Sequence, residues 1–125
     1  MNAEHRSVRI DASRAPVAQL TLLGPGRGNA MGPDFWRELP AAVAAVDAAA
    51  EMRALIVRGS GEHFSYGLDL PGMAMEIGSL LNDGARGRVE IPALAERMHR
   101  GFAALAASRL PVIAAIDGWC IGAGI

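Results

Sequence analysis

Ala54-Leu55-Ile56-Val57-Arg58-Gly59-Ser60-Gly61 runs through Glu62 and His63 into Phe64-Ser65-Tyr66-Gly67-Leu68-Asp69-Leu70. The continuous apolar run Ala54 to Val57, closed by Arg58-Gly59-Ser60-Gly61, reads as a strand buried on both faces and ending in a loop. The turn at Phe64 to Leu70 follows at once. The same plan recurs near the end of the chain, where Val112-Ile113-Ala114-Ala115-Ile116 reads as a second buried strand and leads into Gly118-Trp119-Cys120-Ile121-Gly122-Ala123-Gly124. Small residues let the backbone approach a ligand closely, so each turn can aim an N–H at one oxygen. Two such donors form an oxyanion hole.

On the N-terminal side, Val8 and Ile10 and then Val17, Leu20 and Leu22 read as an antiparallel pair of strands joined across Ala12 to Pro16. Gly24-Pro25-Gly26-Arg27-Gly28-Asn29 is a turn. Pro33 and Asp34 suit a first helical turn, and Phe35, Leu39, Val43 and Val46 repeat at helical spacing, which predicts a helix to about Met52. Pro40 lies inside it and predicts a kink or two shorter helices. Between the two strand-turn units, residues 71–88 mix glycines with Met73, Met75, Ile77, Leu80 and Leu81 at no single period, and read as a flexible flap carrying a short helix. Leu94, Met98, Phe102 and Leu105 form an apolar helical stripe, with the helix ending near Ser108, before Pro111. The order of strands and helices predicts an α/β fold with a mostly parallel sheet, because parallel strands need crossovers of this length.

Composition narrows the chemistry. A chain of 125 residues with 51% hydrophobic content is sufficient for a packed core, and a formal net charge of −1 gives no overall attraction to nucleic acid or anionic membrane. All twelve cationic residues are Arg, which removes any Walker lysine or Schiff-base lysine. Met1 to Arg6 has no apolar core of a leader, and no apolar run approaches the roughly 18 residues of a membrane span, so a cytoplasmic address is expected. The lone Cys120 makes no intrachain disulfide and reads as a small core residue. His5, His63 and His99 lack zinc-ligand spacing, so no metal is expected. Gly24 to Asn29 lacks the third glycine of a dinucleotide fingerprint, and His63 stands where a hydrolase elbow before Ser65 needs glycine. His63 has no acid partner in view for a catalytic dyad.

Residues 17–125 resemble the N-terminal half of the enoyl-CoA hydratase/isomerase, or crotonase, superfamily. Four blocks carry the resemblance: Arg27-Gly28-Asn29-Ala30-Met31, the stretch from Ala54 through Leu70, Arg109-Leu110-Pro111-Val112-Ile113-Ala114-Ala115-Ile116-Asp117-Gly118, and Ile121-Gly122-Ala123-Gly124. The resemblance implies a ClpP/crotonase-type spiral of ββα units, with residues 1–125 forming the N-terminal part of one such domain. It implies action on acyl-CoA thioesters through an enolate-like intermediate, with hydration of an enoyl-CoA as the broadest expectation, dienoyl-CoA isomerisation as the alternative, and a non-catalytic acyl-CoA binder or assembly partner as another. By the same resemblance, the N–H groups of Leu68 and Ala123 form the oxyanion hole. Ala123 stands where relatives carry glycine, and its methyl disfavours positive φ.

Arg27, Asn29, Ala30, Ser65, Tyr66, Gly67, Asp69, Leu70 and Gly122 are the expected substrate and CoA contacts, Arg27 through a CoA phosphate. Asp69 is also expected to accept backbone hydrogen bonds at its turn. Tyr66, Met73, Met75 and Leu81 are candidates for an acyl pocket, and Glu76, Asp83 and Glu90 are acids in or beside the flap. The general acid or base is expected beyond Ile125. No resident cofactor is implied, coenzyme A being part of the substrate, and relatives assemble as trimers or dimers of trimers.

Overall fold

A computed structural model describes residues 5–25 and 27–125; Met1 to Glu4 and Gly26, read above as part of the chain start and of the first turn, lie outside the described residues. Strands β1 (Val8–Asp11), β2 (Val17–Leu22), β3 (Ala54–Gly59) and β4 (Val112–Ala115) lie in one sheet in chain order. The first pair is antiparallel, with Val8 opposite Leu22, and the rest is parallel, with Val17 opposite Ala54 and Leu55 opposite Val112. Helix α1 (Pro33–Ala48) crosses between β2 and β3, and α2 (Leu70–Leu81) with α3 (Ala85–Ala107) crosses between β3 and β4.

One face of the sheet makes the core. Ala18, Leu20, Leu22, Leu55 and Val57 are buried there with Phe35, Leu39, Val43 and Val46 of α1. Fully burying a side chain such as Leu20 or Leu55 contributes about 1.5–3 kcal/mol. Trp36 joins α1 to α3, meeting Phe102 edge to face at a centroid distance of 5.1 Å. The apolar runs of β3 and β4 read as strands covered on both faces, and here the structure differs. The alternate residues point to a face that no described element covers: Ile56 is half-buried, Arg58 is exposed, and Ile113 on the edge strand is 54% exposed.

The helix boundaries also differ from expectation. Helix α1 starts with Pro33 in its first turn, ends at Ala48 rather than near Met52, and passes through Pro40 as one helix. Helix α3 starts nine residues before Leu94 and runs through Pro92. The segment 71–88, expected as a flap carrying a short helix, is therefore helical over most of its length, with only Asn82–Gly84 between α2 and α3. Packing of α2 on α3 overrides the mixed period: an added Cβ on Gly87 would stand 1.8 Å from the Leu80 carbonyl oxygen, so glycine permits the close approach. Replacing Pro40 by Ala restores an interior helix donor. It is expected to raise stability by about 2 kcal/mol, the roughly 3 kcal/mol cost of an interior proline less about 1 kcal/mol of unfolded-chain entropy. Urea unfolding measures it, and an unchanged or lower midpoint refutes it.

Three polar ties close the frame. The buried Glu38 carboxylate accepts the N–H groups of Arg6 and Ser7 at 3.0 and 2.7 Å, fixing the entry into β1 onto α1. The Arg109 guanidinium donates to the carbonyls of Asp47, Ala49 and Met52, satisfying acceptors at and beyond the C-terminal end of α1. Between β1 and β2, hydrogen bonds from Ser13 hold the exposed Asp11 carboxyl below the usual carboxylate range. The stability this tie adds is present above about pH 4 and fades as pH falls through the lowered value.

Candidate functional site

Beyond β3 the chain turns at Gly61 and Glu62 and is then gripped from both sides. Phe64 N–H is shared between the Asp117 and Trp119 carbonyls at 2.8 and 3.1 Å, Ser65 N–H donates to the Trp119 carbonyl at 3.1 Å, and Ile121 N–H returns to the Ser65 carbonyl at 3.0 Å. Tyr66 then turns to the other neighbour and donates to the Gly28 carbonyl at 2.7 Å. The Met31 N–H donates to the Gly67 carbonyl at 2.7 Å, and the Asp69 N–H to the Met31 carbonyl at 2.9 Å. These bonds form two isolated parallel bridges, Ser65 with Cys120 and Met31 with Leu68.

That pattern decides where Leu68 points. In a parallel bridge, bonds from one residue's two neighbours reach the partner, so the bridged residue's own N–H faces the opposite side. Leu68 N–H donates to no protein acceptor among the described residues. Ala123 N–H is also free, because the short 3-10 turn Gly122–Gly124 is closed by Gly124 N–H to the Ile121 carbonyl and Ile125 N–H to the Gly122 carbonyl. The two turns touch at Gly67. An added Cβ there would stand 2.7 Å from the Ile121 carbonyl oxygen and 3.2 Å from the Ala123 nitrogen, and the φ of +89° is one that glycine alone adopts easily. The structure thus brings the turns that carry Leu68 and Ala123, 55 residues apart in sequence, into contact, with both donors unengaged among the described residues.

The other expected contacts divide by exposure. Arg27 and Leu70 are exposed, Gly122 is exposed, and Ala30 is half-buried. The Asn29 and Ser65 side chains are buried and turned inward. Asn29 Nδ2 donates to the carbonyls of Ser60, His63 and Phe64 at 2.9, 2.9 and 3.2 Å, and its Oδ1 accepts the Ser60 hydroxyl at 3.0 Å. Ser65 Oγ donates to the Asn29 carbonyl at 3.1 Å and accepts the Gly67 N–H at 3.0 Å. Their side chains therefore hold the turn. Asp69 precedes α2 as its N-cap, yet its carboxylate accepts no backbone bond there, contrary to the expectation for an Asp at a turn. The half-buried Cys120 packs against the core, its Sγ 3.2 Å from the Gly124 carbonyl oxygen.

The proposed acyl-pocket residues are not brought together. Met73 is buried in the core, whereas Met75 and Leu81 are 79% and 67% exposed on α2. Tyr66 stacks in an aromatic cluster with His63 and Trp119, centroids 5.2–5.4 Å apart. His63 Nδ1 accepts the main-chain N–H of Trp119 at 3.0 Å, a tie between the two turns, and no acid side chain bonds the imidazole among the described residues. The apolar space adjoining Ala123 is a different one, a cavity of about 210 Å³ reached by Phe35, Phe64, Phe102, Leu105 and Val112. The helical stripe of α3 contained the signal for it in Phe102 and Leu105. Of the flap acids, Glu76 lies 3.6 Å from Arg97 and Glu90 pairs with Arg86 at 2.8 Å. Among the described residues no group of three or more His, Cys, Asp or Glu could hold a metal ion, and no helix is long and apolar enough to cross a membrane.

Fold and sequence together define the class: the chain belongs to the enoyl-CoA hydratase/isomerase family, whose sequence model matches residues 12–125. It is 33% identical over 122 residues to the mouse mitochondrial Delta(3,5)-Delta(2,4)-dienoyl-CoA isomerase, covering 97% of this chain and 37% of that protein. It is 32% identical over 109 residues to a Mycobacterium tuberculosis protein named as a probable enoyl-CoA hydratase, EchA14, covering 87% of this chain and 39% of the relative. The solved enoyl-CoA hydratase/isomerase of Xanthobacter autotrophicus Py2 superposes with a TM-score of 0.78 at 27% identity, over 97% of this chain and 42% of that one. The fold is crotonase-like α/β, and the chain spans under half the length of these relatives.

Proposed function

We propose that the chain binds an acyl-CoA thioester with its carbonyl oxygen between the N–H groups of Leu68 and Ala123. The observation that carries this is the pair of main-chain donors, unengaged among the described residues, on two turns that touch at Gly67. Negative charge that develops on the thioester oxygen as the α-carbon acquires enolate character is stabilised there, each donor contributing about 3–4 kcal/mol. Main-chain donors held by a bridge at Leu68 and by a 3-10 turn at Ala123 need no reorganisation as that charge appears. The reaction proposed for the whole protein is hydration of an enoyl-CoA. Isomerisation of a dienoyl-CoA is the second reading, favoured by the name of the mouse relative and its 33% identity. Both use the same carbonyl site and differ in the groups that move protons.

Arg27, exposed beside the first turn, is proposed to meet a CoA phosphate, with Ala30, Tyr66 and Gly122 offering backbone or ring contacts along the thioester. A homo-oligomer, trimer or dimer of trimers, and a cytoplasmic address belong to the same proposal. Sedimentation velocity and cell fractionation test them.

Calorimetric titration with crotonyl-CoA, together with loss of its enoyl absorbance, tests the function. Saturable binding is expected, and failure to bind at millimolar ligand overturns the proposal. Turnover is read on the full-length protein, and binding without turnover there supports a non-catalytic acyl-CoA binder instead of an enzyme.

A further inference from the structure

We propose that Ser65 is a positioning residue whose hydroxyl aims the Leu68 N–H, a role that rests on the carbonyl site proposed above. The direction of that N–H is set by the peptide plane joining Gly67 to Leu68. In a trans peptide the C=O and the next N–H point opposite ways. The Met31 N–H, 2.7 Å from the Gly67 carbonyl oxygen, therefore pulls that carbonyl to one side and sends the Leu68 N–H to the other. Gly67 itself has no Cβ to restrict it, and at φ +89° it has wide freedom to rotate away. Something must hold its other peptide plane.

Ser65 Oγ does so. It accepts the Gly67 N–H at 3.0 Å and donates to the Asn29 carbonyl at 3.1 Å, linking the glycine to the loop that carries the Met31 donor. Ser65 is 0% exposed, so bulk water has no access to replace the acceptor. A buried N–H without a partner costs roughly 1–3 kcal/mol, which the chain relieves by turning Gly67 toward another acceptor. Such a turn changes where Leu68 N–H points without unfolding β3. The Ser65 side chain is buried and both of its hydrogen bonds go to the protein backbone. It acts through Gly67 on Leu68, and the Gly67 carbonyl already accepting a bond makes the adjoining N–H a better donor.

The test uses the full chain and crotonyl-CoA labelled with ¹³C at the thioester carbonyl. Difference infrared spectroscopy reads the downshift of the carbonyl stretch on binding, and calorimetry reads Kd. Ser65→Ala is expected to keep less than half of the wild-type downshift, with Kd within about threefold of wild type because the rest of the CoA molecule still binds. Ser65→Cys preserves the volume but offers a weak acceptor, and it is expected to track the Ala variant. A full downshift in either variant overturns the positioning role while leaving the carbonyl site standing. Loss of the folded circular dichroism signal in both variants makes the hydroxyl a requirement of folding and also overturns it. No downshift in the wild type removes the carbonyl site itself, and the inference with it.

Discussion

Leu68→Pro is expected to remove most of the polarisation of a bound thioester carbonyl and to lower turnover by the full-length protein about 10²–10³-fold, the loss that follows deletion of one oxyanion-hole donor. Proline has no N–H, and no protein acceptor among the described residues uses the one that Leu68 supplies. The substitution therefore removes a donor whose only assigned partner is the ligand. Its side effects are separable. The Leu68 side chain is half-buried and packs against the core, so Leu68→Ala loses that packing while retaining the N–H. The Ala variant is expected to bind crotonyl-CoA with the wild-type carbonyl downshift and to lower the melting temperature. The Pro variant is expected to lose most of the downshift even where its circular dichroism remains native. Equal downshifts in the two variants would place the hole elsewhere.

The local elements of the fold are written plainly along the chain. Alternation in Val8 and Ile10 and the break at Ala12 to Pro16 give the antiparallel pair, and the apolar runs Ala54 to Val57 and Val112 to Ile116 give the two parallel strands. How many faces those runs cover is not local information. A continuous apolar run fits a strand covered twice, and only the placement of α1 and α3 on one side leaves Ile113 exposed. Pro40 does not split α1 for a similar reason, since the hydrogen bond it costs is absorbed by helix packing. At the site, the glycine turns were legible because φ and close approach constrain residue type at one position. The inward roles of Asn29 and Ser65 were not, because Asn29 meets partners 31 to 35 residues away and the Ser65 hydroxyl meets the Asn29 carbonyl 36 residues away. Polar residues beside an expected ligand read equally well as contacts or as supports, and burial alone separates the two.

Asn29→Ala is expected to destabilise the protein by about 3–5 kcal/mol, a large part of the 5–15 kcal/mol that a typical domain has. The side chain cross-links the loop after β3 to the loop after β2 through three carbonyls and the Ser60 hydroxyl, and it is buried. Truncation leaves those carbonyls facing a cavity, and alanine is also strained at the φ of +52° that asparagine tolerates. Asn29→Asp separates backbone from side chain, since aspartate tolerates the same φ but presents an acceptor to three acceptors. Near neutral pH this variant should be at least as unstable as the Ala variant. Facing carbonyls in a buried site, the introduced carboxyl has its pKa raised in the folded state, so the variant's folded form binds the extra proton. Its stability relative to wild type should then improve as pH falls toward about 4, where the protonated carboxyl donates one hydrogen bond, and be lost again as pH rises through the raised value. Urea titrations of both variants between acidic and neutral pH measure the difference. An Asp variant whose deficit does not change with pH would mean that water, rather than the three carbonyls, surrounds the side chain at this position.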